Sequence, residues 1–66
     1  MSKIKEYMME RAEIIVYEKS KEMITNKLRI RDLYDFYENA NDEDKSCLQM
    51  LGITNKWEFV QEVTNE

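Results

Sequence analysis

The side chains that most often carry enzyme chemistry are scarce in this 66-residue chain, which has no histidine and one cysteine, Cys47. Without histidine, the usual general base and the Ser–His and Cys–His nucleophile pairs cannot be assembled. The sequence has no glycine-rich phosphate loop, and no carboxylate is marked by an apolar pocket that would raise its pKa. We therefore expect a protein that is not an enzyme.

Ligands for a metal or cofactor are equally scarce. One cysteine and no histidine exclude the usual Cys/His zinc site and an internal disulfide. The acidic run Asp42–Asp44 lacks the spacing of a calcium loop, and it follows Asn41, which indicates the first turn of a capped helix. Acidic neighbours disfavour a reactive thiolate at Cys47, which is predicted to be a small buried side chain. No metal and no cofactor are expected.

The elements that position these residues are predicted to be helices. Good helix formers dominate from Ser2 to about Lys27, without proline or glycine, so one long helix is expected to end between Thr25 and Lys27. Residues Glu13–Tyr17 also favour a strand, because β-branched and aromatic side chains are common in strands. No second strand-like run exists to pair with it, which weighs against the strand.

Three short helices are predicted to follow. The second helix runs from about Arg31 to Asn39, and the third begins after Asn41. Gly52, the only glycine, falls just after the last apolar residue of the third helix. Helices commonly end at this point with one residue in the left-handed conformation, which favours glycine. The fourth helix spans about Asn55 to Val63, with Thr54 as its cap. The predicted core residues are Leu33, Phe36, Leu48 and Trp57. The sequence thus predicts one all-α domain over residues 1–66, in which three short helices pack around one long N-terminal helix.

The long helix is apolar on two nearly opposite sides, which three short helices would cover incompletely. One side carries Ile4, Tyr7, Met8, Ile14 and Ile15. If the short helices cover that side, the apolar residues on the opposite side remain exposed. Their spacing is close to a heptad repeat, so they are predicted to form the seam of a homodimer. The residues predicted for self-association are Met9, Ala12, Val16 and Met23. In the alternative, the short helices straddle the long one and bury both sides, leaving a monomer.

Charge is uneven along the chain. Residues 1–31 hold eight basic and five acidic side chains, whereas residues 32–66 hold two basic and nine acidic ones. A protein partner is expected. Because a field of one sign steers oppositely charged molecules, that partner would be basic if the acidic half of the chain binds it. The predicted partner-binding residues are Asp35, Glu38, Asp42 and Glu43. The plainer interpretation is that these carboxylates only cap helices and keep a small protein soluble.

Small, acidic, glycine-poor helical chains are common among accessory and inhibitory proteins of phages and mobile elements. We therefore expect a non-enzymatic protein-interaction module, such as an inhibitor or antirepressor, that occupies a partner surface. The alternative is a dimeric nucleic-acid-binding regulator that contacts phosphates through Lys27, Arg29 and Arg31. The outline of a helix-turn-helix in residues 44–61 is rejected, since its second helix carries Glu58 and Glu62.

The N-terminal segment and the hydropathy pattern indicate where the protein works. Residues Met1–Glu10 carry four charges and lack the apolar region of a secretory signal. No stretch approaches the ~20 apolar residues that span a bilayer, so no membrane contact is expected. With one cysteine as well, the expected location is cytoplasmic.

Overall fold

The computed structural model describes residues 2–25 and 27–65, which form four helices. In chain order these are α1 (Ser2–Ile24), α2 (Ile30–Asn39), α3 (Asp42–Gln49) and α4 (Lys56–Thr64). The described ranges contain no strand, and Glu13–Tyr17 lies inside α1. The predicted all-α architecture of one long and three short helices is confirmed. None of these helices is both long enough and apolar enough to cross a membrane.

The long helix α1 sets the shape of the molecule. Its 23 residues span about 35 Å, close to the longest of the three dimensions of 38, 19 and 16 Å. Helices α3 and α4 pack along α1, whereas α2 packs chiefly against α4. Lys19 links α1 to α2, because its Nζ lies 4.4 Å from the centre of the Phe36 ring. One side of α1 is therefore covered by the rest of the chain.

The core lies between this inner side of α1 and the short helices. Its buried side chains are Ala12, Ile15, Val16, Leu33, Cys47, Leu48, Ile53, Phe59 and Val63. Phe36 packs against it, with its ring stacked on that of Phe59 at 5.6 Å between centroids. The core predictions for Leu33 and Leu48 are confirmed. The prediction for Trp57 is wrong, because positions two apart on a helix point about 200° apart and Phe59 takes the inward direction.

The turn at Gly52 directs α4 back onto α1. Gly52 has a φ of +83°, in the left-handed region that favours glycine, as predicted. Its N–H donates to the carbonyl of Gln49 at 2.9 Å, and the N–H of Ile53 donates to the carbonyl of Leu48 at 3.1 Å. These two bonds form a Schellman motif, and Ile53 then enters the core.

Asparagine side chains cap the two helices that flank this turn. The Oδ1 of Asn41 accepts from the N–H of Asp44 at 2.8 Å, which confirms the predicted cap of α3. In α4 the cap is Asn55, whose Oδ1 accepts from the N–H of Glu58 at 2.8 Å. Thr54, predicted to be the cap, instead donates its N–H and its hydroxyl to Oε1 of Glu58, each at 2.7 Å.

The predicted self-association seam is wrong for its two central residues. Ala12 and Val16 are buried in the core, and Met23 is half-buried against it. The physical reason is that α3 and α4 pack against α1 and bury these residues within a single chain. Met9 remains exposed at one end.

The other apolar side of α1, which carries Ile4, Tyr7, Met8, Ile14 and Ile15, is itself divided. Met8 and Ile15 contact the core, whereas Ile4, Tyr7 and Ile14 are exposed. The short helices therefore lie on one side of α1 rather than straddling it, and a different apolar side faces solvent.

Candidate protein-interaction surface

The single tryptophan, Trp57, lies on the surface in the first turn of α4 and is 63% exposed. A large aromatic side chain gains more from burial than almost any other, so full packing would be its stable environment. Tryptophan is also among the residues that contribute most to binding at the centres of protein interfaces. Trp57 is therefore the first candidate for a binding residue.

Lys56 joins Trp57 to the neighbouring helix α2. Its Nζ lies 2.9 Å from Oε2 of Glu38, 5.3 Å from the centre of the Trp57 ring and 5.5 Å from that of Tyr34. A cation within about 6 Å of an aromatic face is attracted by the ring quadrupole. We call Tyr34, Glu38, Lys56 and Trp57 together the Trp57 surface. Two aromatic rings and a carboxylate there hold an ammonium group near solvent.

Two shallow grooves extend from this surface. The first, of about 310 Å³, runs beside Trp57 and Glu38. The second, of about 280 Å³, is lined in part by Asp42. Tyr37 and Thr54 line both, so the two grooves adjoin. Because both are open to solvent and lined by polar as well as apolar groups, they suit side chains of a protein partner better than an enclosed small molecule.

The structure brings together two of the four predicted partner-binding carboxylates. All four are exposed, and Glu38 and Asp42 line the adjoining grooves. Asp35 and Glu43 line neither groove. Contact of any of the four with a partner stays a prediction.

Sequence reasoning missed the aromatic part of this surface. Trp57 could have been recognised from its distance of two positions to Phe59, because one narrow helix face cannot bury both. The pairing of Lys56 with Glu38 joins positions 18 apart and carries no periodic signal. Only the packing of α2 against α4 reveals it.

The polar residues of α4 are largely engaged within the chain. Asn55 caps the helix, and Lys56 is paired with Glu38. Hydrogen bonds from the Thr54 hydroxyl and N–H lower the pKa of Glu58 and keep its carboxylate charged. A helix that reads DNA bases needs amide and basic side chains available for the major groove. Asn55 and Lys56 are already engaged within the chain, which is consistent with the prediction that α4 does not read DNA bases.

Cys47 lies where the sequence predicted it, inside the core. Burial raises the pKa of its thiol, and the nearby charges of Asp44 and Glu43 raise it further, against a smaller lowering by Arg11. The neutral thiol is therefore favoured, which is the opposite of what a nucleophile requires. Among the described residues, no three His, Cys, Asp or Glu side chains converge to hold a metal ion.

The basic residues of the nucleic-acid alternative lie around the connection between α1 and α2. Lys27, Arg29 and Arg31 are all exposed. The backbone N–H of Arg29 donates to Oδ2 of Asp32 at 2.9 Å, which fixes the start of α2. Across residues 4–25 and 27–65, none of the three basic head groups takes part in an ion pair. They form a solvated basic edge.

Compared with known proteins, the chain matches no family model, no curated protein and no solved structure. Its function has to be inferred from its own surface chemistry. The Trp57 surface combines an exposed aromatic side chain, a held cation and an adjoining pair of grooves with acidic residues, and it is the strongest candidate.

Proposed function

We propose that the chain is a non-enzymatic protein-interaction module that acts by occupying a surface of a partner protein. The observation that carries this proposal is the exposed Trp57 beside the Lys56–Glu38 pair. Covering apolar surface contributes roughly 25 cal/mol per Å², so an exposed indole supplies binding energy that a monomer leaves unused. The adjoining grooves receive neighbouring side chains of the partner.

Charge indicates the chemistry of that partner. Residues 32–66 carry a net charge of −7. At the grooves themselves, Glu38 and Asp42 stand beside Lys56 and Lys45, so the acidic field comes from the surrounding half of the chain. Such a field accelerates the association of a positively charged surface. Glu38 and the two rings already hold the ammonium group of Lys56, and a lysine or arginine of the partner that displaces it would meet the same carboxylate and rings. We expect a basic partner segment.

A basic partner surface explains how occupancy would inhibit. Proteins that bind nucleic acid present lysine and arginine to the phosphates, and much of their affinity comes from those contacts. A small acidic protein that covers those residues competes with the phosphates. This is the mode of action of an inhibitor or antirepressor, as is common among phages and mobile elements.

The test is capture of a partner from a lysate of the source cell, with wild-type protein and the Trp57→Ala variant immobilised in parallel. We expect the variant to retain at least about tenfold less partner, since truncating a tryptophan hot spot costs about 2 kcal/mol or more. Circular dichroism verifies that the variant is folded. Equal capture by a folded variant would contradict the proposal.

The carboxylates provide a matched comparison. Glu38→Gln and Asp42→Asn remove charges at the grooves, whereas Asp35→Asn and Glu43→Gln remove equal charges outside them. Only the first two changes are expected to weaken capture of the partner, and added salt should reduce their effect. Similar losses from all four variants would indicate a general charge effect rather than this surface.

The second candidate function is nucleic-acid binding through the basic edge. It is favoured by one observation, the exposure of Lys27, Arg29 and Arg31 without ion pairs in the described residues. Retention on heparin at low salt, lost when Arg29 and Arg31 are replaced by Ala, would support it. We expect the wild type to pass through such a column, because its net charge is −4.

A further inference from the structure

The side of α1 opposite the core carries large apolar side chains that the rest of the described chain leaves about half exposed or more. Tyr7 is 59% exposed, Tyr17 55% and Ile24 77%, and Ile14 is also exposed. A helix that is apolar on the side away from its own core has a surface suited to another molecule. We call Tyr7, Glu10, Ile14, Tyr17, Lys21 and Ile24 the outer row.

The spacing of the outer row is that of a helix–helix seam. Its successive positions are 3, 4, 3, 4 and 3 residues apart. This is the alternation of the two inward positions of a heptad, which lets two helices pack side by side. Four of the six positions are apolar, and the two charged ones, Glu10 and Lys21, are exposed. The occupant that fits this row is another helix.

We propose that this helix is α1 of a second copy, packed antiparallel. In that orientation one register pairs every position of the row. The pairs are Tyr7 with Ile24, Ile14 with Tyr17 and Glu10 with Lys21, each between one copy and the other, and each formed twice. The two charged positions thus meet with opposite signs, and the apolar ones meet apolar partners. A parallel dimer in register would instead oppose Glu10 to Glu10 and Lys21 to Lys21, which is unfavourable.

The residues beside the seam add a second match of charge. Arg11 and Glu18 flank the outer row, and in the same register Arg11 of one copy lies within one helical turn of Glu18 of the other. Arg11 already contacts Asp44 through Nε at 3.5 Å, with 46% of its side chain exposed. A guanidinium has five N–H donors, so Arg11 can serve both carboxylates.

The matched charges argue for a second copy as the occupant. Glu10 with Lys21 and Glu18 with Arg11 place opposite charges across the antiparallel pair, whereas Glu6 and Glu13, on the other flank of the row, are exposed to solvent. The seam runs about 27 Å along α1, and none of the residues of the Trp57 surface belongs to α1.

The first experiment is sedimentation velocity of the wild-type chain across the micromolar range. We expect a concentration-dependent dimer. The Glu10→Lys and Lys21→Glu variants should each be at least tenfold weaker dimers, because each opposes like charges twice in the antiparallel register. Mixing the two variants should restore a dimer, since both pairs between positions 10 and 21 then join a lysine of one variant to a glutamate of the other. Glu43→Lys, on α3, is the matched control and should dimerise like the wild type.

Three outcomes would overturn the proposal. A wild type that sediments as a monomer throughout would exclude a second copy as the occupant. A dimer that neither charge reversal weakens would exclude the antiparallel pairing of Glu10 with Lys21. Weakened single variants that fail to associate when mixed would exclude the antiparallel register. The test does not depend on the partner at the Trp57 surface, because the isolated chain is the only component.

Discussion

Ile14 and Tyr17 flank Ile15 and Val16 in α1, yet the first two are 44% and 55% exposed and the last two only 4% and 2%. All four are large side chains in one stretch of helix. The difference lies in α3 and α4, which cover one side of α1 and leave the other to solvent. The environment of a helix residue is thus set by the element that reaches it, rather than by its own hydrophobicity.

The largest expected effect comes from placing the same charged residue on the covered and on the exposed side of α1. Val16→Glu places a carboxylate in the core without a partner, at a cost of several kcal/mol against a total stability near 5 kcal/mol for so small a domain. We expect an unfolded chain. Ile14→Glu, two positions away, should keep the helical circular dichroism and a cooperative melt. Similar melting of the two variants would show that the sides are not distinct.

The same contrast occurs on α4 between Phe59 and Trp57. Phe59→Ala removes a fully buried ring and should lower the free energy of unfolding by about 3–5 kcal/mol. Trp57→Ala removes a larger ring from the surface and should cost about 1 kcal/mol or less. Urea titration measures both changes. A larger loss for Trp57→Ala than for Phe59→Ala would contradict the assignment of the inward face.

Gly52 determines which side of α4 meets α1, and its replacement tests that turn. An added Cβ would meet no atom within 4 Å, so the cost of Gly52→Ala comes from its φ of +83° alone. We expect a loss of about 1–2 kcal/mol in urea titration, and a smaller one for Gly52→Asn, since asparagine tolerates this conformation. An alanine variant as stable as the wild type would mean that the turn adopts another conformation.

The smallest expected effect concerns Glu58 at the start of α4. Its pKa is lowered in the folded chain by hydrogen bonds from Thr54. Its contribution to stability is therefore present above the unfolded pKa of about 4.3 and is lost as the pH falls through the folded value. Glu58→Gln should flatten this part of the acid dependence of the urea midpoint. Glu62→Gln, an equal change of charge on the same helix, is the matched control.

Two helix ends could be predicted from the sequence because they depend on local chemistry, whereas the cap of α4 is Asn55 rather than the predicted Thr54. Asn41 caps α3, and Gly52 takes the left-handed conformation that ends this segment, as their residue types indicate. The order of elements followed from the absence of proline and glycine in α1 and from these punctuating residues.

The covered side of α1 could not be predicted in the same way. Two sets of apolar residues in α1 have heptad-like spacing. The set predicted for self-association, which includes Val16, lies on the side against which α3 and α4 pack. The direction of α4 after Gly52 decides between them, and that direction depends on packing over the whole domain. The Trp57 surface was missed for the same reason, because α2 and α4 create it together.

The exposure of Trp57 also determines what its fluorescence reports. The indole already contacts water in the folded chain, so its emission maximum should move little on unfolding, even though it is the only tryptophan. A partner that covers the ring would remove that water and shift the emission to shorter wavelength. In this protein, the natural chromophore is therefore a poor reporter of folding and a direct reporter of binding.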